Sequence, residues 1–353
     1  MRVVIFLFTI AFLCHSCLEK IDFDTDFPDN LLVVDGTFTD TDEVDQVRLS
    51  FAIDYGNQTL APIQNAQLTL YDDKGNSEEL VEVGDGDYQF VKARLSGRVG
   101  TSYHLEILLN DGRLYRSEPE ILRAAPPIDS FLYTVRPFER TNDFGRIINE
   151  VDFQLSVQTD INSEQQTSFL RWDVEHVYAF QQPYLYYIPF SSSAVCYVTE
   201  ELNAQAISIF DGRNFAENAT IREQVASKEM DYTFAYAQSY RVSQYAMSER
   251  AYTYCSQIDQ ISNRVGNIFD VPPAPVRGNI KSVNDPEETV LGFFNVSGVS
   301  RSTLFLTPGD TQEFYQPIQF CAGTFNNSRD QLPQPCYGCL VIQGSSLERP
   351  FYW

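Results

Sequence analysis

The chemistry open to this chain begins with its sulfur. Cys336-Tyr-Gly-Cys339 has the spacing of a thiol redox pair. A thioredoxin-type pair needs that spacing at the start of a helix in a βαβ unit. Here Pro333 and Pro335 precede it and no such unit surrounds it. A structural zinc site needs a second ligand pair. Cys196 and Cys321 supply thiols for one, and His104 and His176 are the only histidines after His15. His104 sits opposite the apolar Tyr103, Leu105 and Ile107 of an alternating run and is expected to face solvent. His176 shares a face with Trp172 and Val174 and is expected to be a satisfied core histidine. No Gly-x-Ser-x-Gly elbow is present, so acyl transfer has no nucleophile. The 48 Asp and Glu residues make a chance glycosidase-like pair inevitable, and the sequence selects none.

Three further groups invite a ligand. Asp40-Thr-Asp42-Glu43-Val-Asp45 offers oxygens to calcium, but Val44 occupies a ligand position of the EF-hand template and no Gly follows, so a solvated loop is expected. Gly84-Asp-Gly-Asp87 reads as a hairpin turn. Tyr184, Tyr186, Tyr187 and Phe190 form an aromatic run that suits either strand packing or a face for sugars or peptides. The residues thus name no catalytic group, no metal site and no cofactor.

Cys17 has a different chemistry. It follows a leader, Met1 to Ser16, with Arg2 as its positive end and an apolar run from Val3 to Leu13. That run is too short to span a bilayer and fits the core of a secretory signal. Small Ser16 precedes Cys17, whereas bulky Leu13 precedes Cys14. The acidic stretch Glu19 to Asp26 follows at once. The expectation is a lipoprotein signal over 1–16, with Cys17 as the acylated first residue of the mature chain and 17–30 as an acidic tether. Several acyl chains hold a body to a bilayer more firmly than one. Export to an oxidising compartment then favours disulfides over zinc for Cys196, Cys321, Cys336 and Cys339, in one of three connectivities. Cys255 falls on the apolar stripe of a helical segment and is expected to stay free, as a small hydrophobe.

The formal net charge of −23 opposes nucleic acid, which requires basic patches, and anionic lipid headgroups. Aromatic residues make up 14% of the chain, which favours strands. Leu31 to Val34, Ala66-Leu68-Leu70 and Tyr103-Leu105-Ile107-Leu109 read as strands, separated by turns at 72–76, 84–87 and 110–112. This predicts a β-sandwich over 31–122. Ala124-Ala125-Pro126-Pro127 marks a boundary, and a second β-rich region is expected over 128–353. Within it, Val151-Phe153-Leu155-Val157 and Leu170-Trp172-Val174-His176 alternate, and strands are expected near 289–296 and 302–307. Residues 214–230 suit a short helix. Ser248 to Val265 carries the best helical pattern, capped by Ser248 with Glu249 in the first turn.

Many short matches in order give the chain a family likeness. Cys17-Leu-Glu-Lys-Ile-Asp22, Leu32-Val-Val-Asp-Gly36, Asn65-Ala-Gln-Leu-Thr-Leu70, Gly100-Thr-Ser-Tyr-His-Leu105, Pro127-Ile-Asp-Ser130, Gly266-Asn-Ile-Phe-Asp270, Arg277-Gly-Asn-Ile280 and Val290-Leu-Gly-Phe-Phe294 resemble the domain-of-unknown-function 4249 family. The resemblance implies an immunoglobulin- or transthyretin-like front half. It also implies an outer-membrane lipoprotein encoded beside a TonB-dependent receptor, and the acidic stretch Glu19 to Asp26, interrupted by Lys20 and Ile21, is similar to signals for display on the cell surface. It carries no catalytic residues with it. The expected work is therefore non-catalytic binding as an accessory subunit of such a transporter. A structural envelope-assembly role without a small ligand is the alternative, and a surface hydrolase is the third.

Overall fold

The computed structural model describes residues 31–52, 61–141, 144–161, 169–183, 193–202, 207–215, 219–263, 276–322 and 333–353. The leader, the tether with Cys17, and the aromatic run Tyr184, Tyr186, Tyr187 and Phe190 lie outside these residues. The fold is mainly β. In the core strands apolar and polar residues alternate with a period of two, and the apolar face is buried.

The first body uses β1 (Leu32–Thr39), β2 (Gln46–Phe51), β3 (Ala61–Pro62), β4 (Gln67–Asp72), β5 (Ser77–Glu79), β6 (Val81–Gly84), β7 (Asp87–Gln89), β8 (Ser102–Leu108), β9 (Leu114–Ser117) and β10 (Glu120–Ile121). The second uses β11 (Ser130–Thr141), β12 (Ile147–Ile161), β13 (Phe169–Gln182), β14 (Ala194–Glu201), β15 (Ser208–Asp211), β16 (Ala219–Glu229) and β17 (Gln238–Ala246). A helix, Glu249–Ser262, comes next. It is followed by β18 (Ile280–Ser282), β19 (Leu291–Ser297), β20 (Val299–Leu306) and β21 (Ser345–Ser346).

The first body stacks a sheet of order β19-β1-β2-β7-β6, with β3 on β2, against a sheet of order β18-β9-β8-β4-β5, with β10 on β8. The alternation is visible in β1, where Leu32, Val34 and Phe38 are buried, and in β8, where Tyr103, Leu105 and Ile107 are buried. These side chains meet Tyr115 and Phe294 in one core. The 84–87 segment forms the β6–β7 turn as expected, with Asp85 and Gly86 at positive φ.

The second body stacks β11-β12-β16 against β20-β17-β13-β14-β21, with β15 on β13. Phe153, Leu155, Val157, Trp172, Val174, Phe234 and Tyr240 fill its core. Gln244 is buried there. It accepts from Trp172 Nε1 at 2.7 Å and Thr159 Oγ1 at 2.9 Å, and donates to the Pro126 carbonyl at 2.7 Å. The linker between the bodies is thereby pinned to the second core.

Two expectations change. Residues 219–229 are a strand, not a helix: Ile221 and Val225 are buried in the sheet, which overrides a polar local pattern. The range 128–353 is also not one continuous unit. β18 pairs with β9, and β19 pairs in parallel with β1 from Val33↔Leu291 to Thr39↔Ser297. The chain returns to complete the first body. Gly298 alone separates β19 in the first body from β20 in the second. Its N–H donates to the Arg123 carbonyl at 2.8 Å, and its carbonyl accepts from Ala246 N at 3.0 Å. A Cβ at 298 would lie 2.2 Å from the Arg123 oxygen, so this crossing requires glycine.

Candidate functional site

The helix is built where the sequence places it. Ser248 caps it, with its hydroxyl accepting from Ala251 N at 3.1 Å, and Glu249 stands in the first turn. Ala251 is buried, and Tyr254, Cys255 and Ile258 extend the same stripe at helical spacing. Arg250 projects to the first body, where it ion-pairs with Glu118 and, at 3.1 Å, with buried Glu120. Burial raises the Glu120 pKa, against the pull of Ser248 and Arg250.

The stripe closes one wall of a cavity of about 380 Å³ between the two bodies. Val33, Asp35, Phe293 and Asn295 from the β1/β19 pair form a second wall, and Arg171 of β13 a third. That volume suits a small ligand, and mostly apolar walls with a few polar groups are the usual composition of such sites. Gly292 lets β19 lie close against β1 within that second wall: its φ is +90°, and a Cβ there would fall 1.9 Å from the Val34 carbonyl oxygen. A second cavity, near Pro308, Gln312 and Gln319, has no charged or aromatic lining.

Arg171 carries the cavity's chemistry. Its Nη2 donates to Asp173 at 2.7 Å, and its guanidinium lies 4.7 Å from the Tyr245 ring centroid. Its Nε is buried and has no hydrogen-bond partner among the described residues. A buried donor left unmade costs about 1–3 kcal/mol, so this N–H calls for an acceptor. Burial opposes the Arg171 charge, but Asp173 and the neighbouring Tyr245 and Cys255 outweigh it and raise its pKa. Cys255 is free, and its thiol is pushed up first by burial. Arg171 pulls it down, while Asp173 and Asp35 push it further up. Tyr254 is pushed up to about 12, by burial and then by Asp35.

Beyond the cavity, the outer face of β13 and β17 is half-buried and charged. Glu43 of the first body accepts from Arg241 and lies 3.3 Å from Arg301. Arg241 stacks on Phe351 and Tyr352, at 5.0 and 4.6 Å. Tyr352 donates to Glu175. Trp353 packs edge-on against Tyr197. Glu201 lies opposite Glu175, and its pKa is raised by burial first and by Glu175 next.

The structure places the other sequence-derived residues apart from this cleft. Cys196 bonds Cys339 and Cys321 bonds Cys336, so the two cysteines of the Cys-Tyr-Gly-Cys segment serve different bridges. His176 is fully buried and hydrogen-bonded to Glu200 at 3.1 Å and to Gln238 at 2.7 Å. His104 is only half-buried and stacks on Tyr71 at 5.1 Å, and burial lowers its pKa. The 40–45 segment is not a fully solvated loop. Asp45 is buried, accepts from Thr39 N and Oγ1, and pairs with Lys92 at 2.8 Å. Lys92 supplies the positive charge that a calcium ion would bring. Among the described residues, no cluster of His, Cys, Asp or Glu has metal-site geometry.

Residues 19–303 match a family described as "Domain of unknown function (DUF4249)". The chain belongs to that family. No curated protein matches the chain. The matched range contains both bodies' main strands and the whole cleft lining, whereas the bridged segment 321–353 lies beyond it.

Cys255 is legible in the sequence as a packing residue of the helix stripe. Arg171 and Asp35 are not. Arg171 alternates with Trp172 and Val174 and is followed by Asp173 and Glu175, a pattern that ordinarily marks a solvent face. The helix and the β1/β19 pair cover that face only through tertiary packing.

Proposed function

We propose that this DUF4249 protein is a lipid-anchored, non-catalytic binding subunit of the outer membrane that captures a small ligand in the cleft between its two bodies and serves a TonB-dependent transporter. The observation that carries the binding role is the inter-body cavity, lined by the helix stripe, Asp35 and Arg171. The leader and Cys17 support the anchor. The two disulfides support an oxidising compartment. The family resemblance supports the transporter.

The two bodies are tied by Gly298, Glu43–Arg241 and Arg250–Glu118, an arrangement that keeps the cleft walls in fixed register. A pre-formed site of this kind reduces the ordering cost of binding. Affinity purification of the full chain from native membranes in mild detergent tests the partner. A TonB-dependent β-barrel receptor is expected in near-equal amount. Repeated recovery of the chain alone would count against the accessory role and favour an envelope-assembly protein.

A further inference from the structure

Resting on the transporter reading above, we infer that the β11–β12 hairpin docks this chain onto the barrel receptor, with Phe138, Phe144 and Ile147 entering an apolar socket among the receptor's loops and Arg136 meeting a carboxylate at its rim. The hairpin outruns its own sheet. β16 accompanies β12 only as far as Asp152↔Glu229, whereas β11 follows β12 through five further pairs, from Pro137↔Val151 to Thr141↔Ile147. A two-stranded ribbon is marginally stable in water unless a further surface packs on it. Ten of the 12 residues of β11 are exposed, and only Phe131 and Val135 are half-buried. Phe138 is 37% exposed, Ile147 69% and Phe144 88%. By register, Phe138 and Ile147 lie on opposite faces of the ribbon, and Phe144 belongs to the connection between the strands. The tip is therefore apolar on both sides, which suits a socket better than a flat surface. Exposed apolar groups rimmed by polar ones mark interaction sites.

Charge selects the occupant. Residues 136–148 carry Arg136, Arg140 and Arg146 against Glu139 and Asp143, one positive charge net on a chain of −23. Arg140 is held by Glu150. Arg136 is exposed and makes no hydrogen bond or ion pair among the described residues. An acidic partner is repelled by most of this chain and is met by an opposite charge at the tip. A bilayer is the rival occupant, but anionic headgroups are held by clusters of about four to eight basic residues. Pro137 lies on the open edge strand, where proline hinders the addition of another strand, so side chains make the contact. Outer-membrane barrels carry long extracellular loops that can form such a socket.

The test repeats the purification from native membranes with variants of the full chain, weighing the barrel receptor per chain by mass spectrometry. Phe144→Asp with Ile147→Asp is expected to lower receptor recovery at least tenfold, and Arg136→Glu at least threefold, with melting curves unchanged. Leu347→Asp, at an exposed apolar residue outside the hairpin, should leave recovery as in the wild type. Photoactivated p-benzoylphenylalanine at position 144 should crosslink to the receptor, and at position 347 should not, which localises the contact even if the double variant fails to fold. Wild-type recovery with the hairpin variants, or equal loss with Leu347→Asp, overturns the docking assignment and leaves the accessory role standing. Hairpin-dependent sedimentation of the Cys17→Ala chain with vesicles of anionic phospholipid assigns the tip to the bilayer and also overturns it. A wild type that brings down no receptor removes the accessory role and the docking assignment together.

Discussion

Glu43, on a loop of the first body, is the counter-ion of Arg241 on the sheet face of the second, although 198 residues separate them in the chain. Arg301 shares the same carboxylate, and Phe351 and Tyr352 cover the Arg241 guanidinium. The pair is shielded on the arginine side, at 14% exposure, and half-open on the glutamate side, at 38%. It therefore belongs between exposed pairs, worth about 0.2–1 kcal/mol, and buried ones, whose breakage costs about 3–5 kcal/mol. Glu43→Gln is expected to lower stability by roughly 1–2 kcal/mol. A double-mutant cycle with Arg241→Met should show positive coupling in urea melts, and additive effects would deny that the two bodies are joined here.

Gly298 makes the crossing between the bodies. A methyl group there meets the Arg123 carbonyl at 2.2 Å and the Ala125 nitrogen at 3.0 Å, both backbone atoms that cannot rotate away. Gly298→Ala is expected to cost about 1–3 kcal/mol through overpacking. Chemical denaturation measures this, and an unchanged midpoint would show that the linker yields freely.

The two disulfides should differ in weight. Cys196–Cys339 closes 143 residues and Cys321–Cys336 closes 15. Loop-closure entropy gives roughly 5 kcal/mol for the former and roughly 3 for the latter. Replacing Cys196 and Cys339 together by Ser should lower the melting temperature more than replacing Cys321 and Cys336. The reverse order would mean that Cys321–Cys336 holds more native packing than its loop suggests.

Much of this fold is readable because its strands alternate cleanly. Ala66-Leu68-Leu70 and Trp172-Val174-His176 announce their buried faces, and Ser248 announces the helix start. The return of β18 and β19 to the first body is not readable. Leu291 to Ser297 is a buried apolar strand, and such a strand fits any core. Its parallel partner β1 lies more than 250 residues earlier, and no local pattern encodes that pairing. The cleft is hidden for the same reason, since Arg171 and Asp35 reach one cavity only through long-range packing. The acidic pattern around Asp45 misleads because its partner Lys92 sits on another strand connection.

Glu200 sets an acid limit. It accepts from His176, the main cause of its low pKa, and from Lys228 at 2.8 Å, and is held at about 2 rather than the ordinary 4.5. A depressed carboxylate contributes stability above its unfolded value and loses it as pH falls through the folded value. That contribution should be intact above about pH 4.5 and fade toward pH 2. Thermal melts of Glu200→Gln are expected to converge on the wild type across this window. A constant gap between the two would show that the carboxylate's ionisation does not matter.

The functional reading rests on the acylation of Cys17, and the mass of the amino-terminal peptide from protein extracted out of native membranes tests it. A mature chain beginning at Cys17 and carrying fatty acyl groups is the expected result. A mature chain that begins elsewhere, or a Cys17 free of lipid, would contradict it.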